Sequence, residues 1–146
     1  MITNADITLY NKYFDKADKC TKYKRSYLIG VNYRISDGVS SLSTQKGTND
    51  SNEIIIYIPF SVNGESKEYL RPKAYEALTD EEKNNYYTLN DGDVIVKGII
   101  DFEITCEKNS NLKYLQELYD DVSTVKNVKT YDCGSDYMKH WKVVCC

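Results

Sequence analysis

The 146-residue sequence has little of what most catalytic or membrane proteins carry: two prolines, seven glycines, one histidine, one tryptophan and no apolar run near 18 residues. The missing run excludes a helical membrane span. The first residues, Met1-Ile2-Thr3-Asn4-Ala5-Asp6, have neither the basic start nor the apolar stretch of a secretion signal, so a cytosolic product, or one assembled from cytosolic parts, is expected. The few glycines form neither a dinucleotide-binding nor a nucleoside-triphosphate loop motif. His140 lies between Lys139 and Trp141 and suits a packed strand residue better than a general base. A couple of His140 with Cys133 or Cys145 lacks the flanking residues of a thiol enzyme. The five cysteines, Cys20, Cys106, Cys133, Cys145 and Cys146, contain no C-x-x-C pair, so neither a metal nor a cofactor is expected. Free thiols follow from a reducing cytosol. No enzymatic turnover is expected.

What is present is ordinary in bulk and uneven in detail. Hydrophobic residues at 41% and charged residues at 28% fit a single folded domain spanning 1–146. Tyrosine dominates the aromatics, 14 against 3 Phe and 1 Trp. The net charge of −3 argues against a protein whose main task is gripping phosphate backbones. It conceals an asymmetry. A basic segment holds Lys12, Lys16, Lys19, Lys22, Lys24 and Arg25; an acidic one holds Glu76, Asp80, Glu81, Glu82, Asp91, Asp93, Asp101 and Glu103. Opposite patches on one chain can join successive copies head to tail, which makes Lys12, Lys22, Lys24, Arg25, Glu76, Glu81, Glu82, Asp91 and Asp93 candidate interface residues. Solvated surface charge is the plainer reading of the same residues.

Hydrophobic patterning predicts mostly strands. Ile7 to Phe14 reads as a strand ending in the polar Asp15-Lys16-Ala17-Asp18 turn. Tyr27, Ile29, Val31 and Tyr33 alternate with Leu28, Gly30, Asn32 and Arg34, which puts one face inward. Residues 36–52 read as a long polar loop. Ile54 to Ile58 reads as a strand buried on both faces and ended by Pro59, with a turn at Asn63-Gly64. Pro72 opens a short helix, Thr79-x-x-Glu82 has the form of a capping box, and Asn90-Asp91-Gly92-Asp93 is a turn before the apolar strand Val94–Ile100. Leu112, Leu115, Leu118 and Tyr119 form one helical face after an Asn109-Ser110 cap, and 122–144 reads as a hairpin turning near 132–135. The expected fold is mainly β, a small antiparallel β-barrel or sandwich with one to three short helices.

Two features invite a chemical reading. Asp91 and Asp93 around Gly92 lack the further ligands of a calcium loop and read as a hairpin turn. Tyr13, Tyr23 and Tyr27 interleaved with cations suit a small-barrel module that binds single-stranded nucleic acid, although tyrosines also suit a protein interface.

Five blocks resemble a family of small proteins from tailed phages and prophages of Firmicutes. They are Tyr10–Asp15, Ile56–Phe60, Tyr69–Tyr75, Tyr87–Gly98 and Gly134–Val143. The family looks like the head-to-tail joining, or head-closure, proteins of the neck: small β-barrels arranged as a ring. The resemblance implies a virion component assembled in the bacterial cytoplasm. Its implied partners are copies of itself and the portal-adaptor and tail proteins, with DNA passing nearby without specific binding and no membrane contact. A tail-terminus protein of the same particle is the alternative placement. The resemblance implies no catalytic residue.

Overall fold

The computed structural model describes residues 3–17, 19–36, 53–62, 64, 67–105, 111–135 and 138–146. Most of the polar 36–52 segment, Asn63, the expected Asn109-Ser110 cap and Tyr137 lie outside the described residues. Among these residues the elements are β1 (Ala5–Asp15), β2 (Cys20–Ser36), β3 (Glu53–Pro59), β4 (Glu68–Tyr69), α1 (Pro72–Glu76), β5 (Tyr86–Tyr87), β6 (Val94–Lys97), α2 (Leu112–Leu118), β7 (Val122–Tyr131) and β8 (His140–Cys145). A 3-10 turn occupies Glu82–Asn85. Six strands pair antiparallel in the closed order β1-β2-β3-β8-β7-β6, and β4 pairs with β5 in a separate two-stranded ladder. The fold is mainly β and antiparallel with two short helices, as expected of a small barrel or sandwich.

Closure depends on two strands that change partner along their length. The 17-residue β2 pairs with β1 up to Val31 and with β3 from Asn32, while β7 pairs with β6 through Thr124 and with β8 from Val125. Both change partner next to a register shift, where an extra residue bends the strand. In β2 that residue is Gly30, at φ 91°, unpaired between the Asp6–Ile29 and Ala5–Val31 pairs. It also reverses the side-chain phase. Leu28 is buried before it, and Val31 and Tyr33 after it, so neither alternating set of the sequence forms the inward face by itself.

The barrel interior holds Ile7, Leu9, Leu28, Val31, Ile56, Ile58, Ile95, Trp141 and Val143. Each fully buried aliphatic side chain contributes roughly 1.5–3 kcal/mol by leaving water. A second cluster lies on the outer side of β1 and β6, where Tyr10, Val94 and Val96 pack with Ile104 and Leu115, and with Phe102, Leu112 and Tyr119 at its margin. The strands covered on both faces are therefore β6, whose Val94, Ile95 and Val96 are all buried, and β1 from Ile7 to Asn11. In β3 only Ile56, Ile58 and Pro59 are buried, which corrects the two-faced burial expected of Ile54–Ile58. The outer layer is fastened to β1 and β2 by side chains. Thr8 Oγ1 donates to the Gly98 carbonyl at 2.7 Å, Tyr10 OH to Phe102 at 2.5 Å and Tyr27 OH to Ile100 at 2.8 Å.

Local chemistry sets the helix and strand ends. Pro72 supplies the fixed φ of the first turn of α1. Thr79 and Glu82 meet as the capping-box spacing predicts, Glu82 N donating to Thr79 Oγ1 at 3.3 Å, but they open only the 3-10 turn. Asn111 caps α2 by accepting from Tyr114 N at 2.8 Å.

Gly30 supplies a direct check of the closure. A Cβ there would meet nothing nearer than Thr3 Cγ2 at 3.9 Å, so Gly30→Ala carries only the left-handed backbone cost. The expected loss is about 1–2 kcal/mol in denaturant unfolding with an unchanged m-value.

Candidate functional site

The first site-like feature is a buried polar node between β1 and the chain entering β6. Asn11 Nδ2 donates to the Thr88 carbonyl at 2.6 Å and to Asp93 Oδ2 at 2.9 Å, and Asn11 Oδ1 accepts from Thr88 N at 3.3 Å. Asp93 also accepts from Lys12 N at 2.9 Å and Asn90 N at 3.0 Å. Gly92, at φ 89°, completes the turn that presents this carboxylate inward. Asp93, which its place in the acidic segment suggested for an interface, is only 2% exposed in the single chain and serves there as a buried acceptor. Burial pushes its carboxyl up to about 6, against the lowering effect of the Lys12, Asn11 and Asn90 hydrogen bonds.

The remaining charged candidates separate into several places. Lys12, Glu76 and Asp91 line one cleft of about 420 Å³ together with Tyr13, Lys83 and Asp93, so the basic and acidic segments meet within a single chain. Lys22 pairs with Asp15 across the β1–β2 hairpin at 2.8 Å. Lys24 Nζ donates to Asn84 Oδ1 at 2.9 Å, and Arg25 lies 3.6 Å from Glu103. Glu81 and Glu82 are exposed around the 3-10 turn.

A second cleft, about 310 Å³, gathers Tyr13, Tyr23, Lys24, Arg25 and Lys67 beside Asn84 and Glu103. Lys67 Nζ donates to the Arg25 carbonyl at 2.6 Å and to Ser26 Oγ at 2.9 Å. Burial, then Lys24 and Arg25, pull its ammonium below the usual lysine range. Arg25 Nη1 is buried without a hydrogen-bond partner.

A third opening is an apolar groove of about 750 Å³ that the sequence pattern does not reveal. It lies where β3 and β7 end and β8 begins. Phe60, Tyr69 and Trp141 form its aromatic part, with ring centroids 4.4 Å apart for Phe60–Trp141 and 4.3 Å for Tyr69–Trp141. Arg71, Pro72, Lys73, Thr130 and Asp132 complete the lining. Tyr69 reaches Trp141 because β4 pairs with β5, Leu70 N donating to the Tyr87 carbonyl at 2.9 Å. The sequence signal was present as three separate aromatic blocks, but only the fold brings them together.

Other reactive side chains serve the structure. His140 lies edge-on to Tyr57 at 5.5 Å and stacked on Tyr131 at 5.0 Å, with Nδ1 2.7 Å from the Met138 carbonyl oxygen. Burial pushes the Cys145 thiol up to about 12, which keeps it protonated and unreactive. The three C-terminal cysteines Cys133, Cys145 and Cys146 are free, as expected, whereas Cys20 is disulfide-bonded. Among the described residues no group of His, Cys, Asp and Glu side chains could hold a metal, and no helix is long and apolar enough to cross a membrane.

Residues 2–146 match the model of a family of unknown function, DUF6751. The chain belongs to this family. No curated protein and no solved structure matches it.

The polar node makes two measurable demands. Asn11→Ala strands the Thr88 amide and carbonyl and is expected to cost about 2–4 kcal/mol in chemical denaturation. Asp93 has a folded-state pKa above its unfolded value of about 3.9, so its contribution to stability is complete below pH 4 and is lost as pH rises through 6. The stability of the wild type relative to Asp93→Asn should therefore fall by about 2–3 kcal/mol between pH 4 and 7.

Proposed function

We propose that this chain is a structural protein of a tailed-phage or prophage particle, a ring-forming neck component that joins the portal-adaptor side of the head to the tail. It acts without turnover. Its partners are its own copies and the adjoining portal-adaptor and tail proteins, and DNA passes nearby without specific binding. It is assembled in the bacterial cytoplasm and resides in the virion. A tail-terminus position in the same particle is the alternative placement.

The observation that carries this reading is the equipment for protein contact at separate places on a small barrel. The aromatic groove around Trp141 opens at one end, and large apolar side chains stand exposed elsewhere, among them Phe14, Ile35, Ile99 and Leu118. Exposed apolar surface of this kind costs solubility and is characteristic of interaction sites. The phage-like sequence blocks fall on β1, on β3 with Phe60, on β4 with α1, on β5 through Gly98, and around β8, so they span the barrel wall and the groove. Lys22, Lys24 and Arg25 already have partners within the chain, and exposed ion pairs contribute only about 0–1 kcal/mol each. Contacts between copies must therefore draw mainly on apolar surface.

Deleting the gene from an inducible prophage tests the proposal. Filled heads and separate tails that do not join, with joining restored by the wild-type gene, are the expected result. Normal complete particles would contradict it.

The Tyr13–Tyr23–Lys24–Arg25–Lys67 cleft favours a second reading, a single-strand-binding barrel in which tyrosines stack bases and the cations hold phosphates. That reading predicts salt-dependent binding of a labelled oligonucleotide, weakened about tenfold or more by Lys67→Met. An absence of binding at low salt removes it.

A further inference from the structure

We infer that the aromatic groove is the socket for helix α2 of a second copy, an inference that deepens the ring-forming reading and rests on it. The face of α2 directed at the barrel is filled by Leu115, with Leu112 and Tyr119 packed beside it. The flank of that face carries Leu118 and, one turn earlier, Tyr114, 53% and 36% exposed, with the Tyr114 ring stacked on Phe102 at 6.1 Å. Such i, i+4 apolar pairs are the anchors by which a short helix seats in a groove. Exposed Glu117, Asp120 and Asp121 surround Leu118. The groove offers the complementary set: Phe60, Tyr69 and Trp141 for the apolar anchors, with exposed Arg71 and Lys73 outnumbering Asp132 at its lining. The C-terminal end of α2, where Glu117, Asp120 and Asp121 outnumber Lys113, and the basic groove thus match in charge as well as in apolar character.

Topology determines what such a contact builds. Helix α2 lies on β1 and β6, whereas the groove lies at the ends of β3, β7 and β8, across the closed strand order. Asp121 and Asp132 flank the ten-residue β7, which runs for roughly 35 Å between them. The helix of one molecule is therefore kept from its own groove by the barrel wall. Each copy carries one plug and one socket on different faces, a heterologous arrangement that leads to a ring when its rotation closes. The contact uses surfaces distinct from the Lys24–Asn84 and Arg25–Glu103 interactions made within the chain.

Sedimentation velocity on the full chain and two variants tests this contact. Leu118→Asp removes the plug, and the double variant Arg71→Glu with Lys73→Glu removes the socket; all three sites are exposed or half-buried, and circular dichroism checks that each variant folds. The wild type should associate with rising concentration, less so at high salt, and each variant should associate at least about tenfold more weakly. Mixing the variants should restore one intact contact and yield a one-to-one dimer that grows no further, accompanied by a change in emission from Trp141, the sole tryptophan. Wild-type association that both variants retain would overturn this contact while leaving a ring built on other surfaces. A wild type that stays monomeric to about 1 mM at low salt, with unchanged Trp141 emission, would overturn both the contact and the self-assembling ring.

Discussion

The double-sided burial of β1 and β6 is the constraint on which the other features depend. Leu9 and Ile95 point into the barrel while Tyr10, Val94 and Val96 point out of it, and the outward set is covered by the 98–105 segment and α2. Without that cover the outer faces would expose a broad apolar stripe. The cover in turn needs fixed anchoring, which Thr8, Tyr10 and Tyr27 provide through hydrogen bonds to alternate carbonyls of the covering segment, those of Gly98, Phe102 and Ile100. On the inner edge, the Asn11–Thr88–Asp93 node ties β1 to the chain entering β6. A buried polar group is tolerated only when its partners are in place, so this node specifies one register as well as holding it.

The same architecture divides the surface into parts with different roles. Charges near the β1–β2 hairpin are largely engaged within the molecule, through Lys22–Asp15, Lys24–Asn84 and Arg25–Glu103. The groove around Trp141 and the exposed flank of α2 at Leu118 remain as apolar surfaces bordered by charge of opposite sign. Burial of apolar area gives the larger share of affinity, and charge gives register and rate. A scaffold that acts by contact uses such a division. The proposed neck role takes its particle context from the phage-like blocks and its physical plausibility from these two surfaces.

Local patterns in the sequence were sufficient to read most of the fold. Ile7–Phe14, Ile54–Ile58 and the 122–144 hairpin are strands or contain them, and Pro72 and Leu112–Leu118 mark the two helices. What escaped was non-local. The alternation in β2 cannot reveal that Gly30 shifts the phase, because the bulge is defined by its pairing with β1. A run of isoleucines in β3 resembles two-sided burial more than Val94–Val96 does, yet the covering layer lies on β6. Asp93 reads as one more acid in an exposed segment until Asn11, far away in the chain, is placed against it. The groove was unreadable for the same reason, since Phe60, Tyr69 and Trp141 belong to three elements joined only by the closed sheet and the β4–β5 ladder.

An electron cryo-microscopy reconstruction of the joint between head and tail in a particle containing this protein tests the central claim most directly. The account predicts a ring in which Trp141 of each copy faces α2 of the next, with Leu118 seated among the aromatic side chains. A joint built without this chain, or a ring in which the groove faces open solvent, would contradict it.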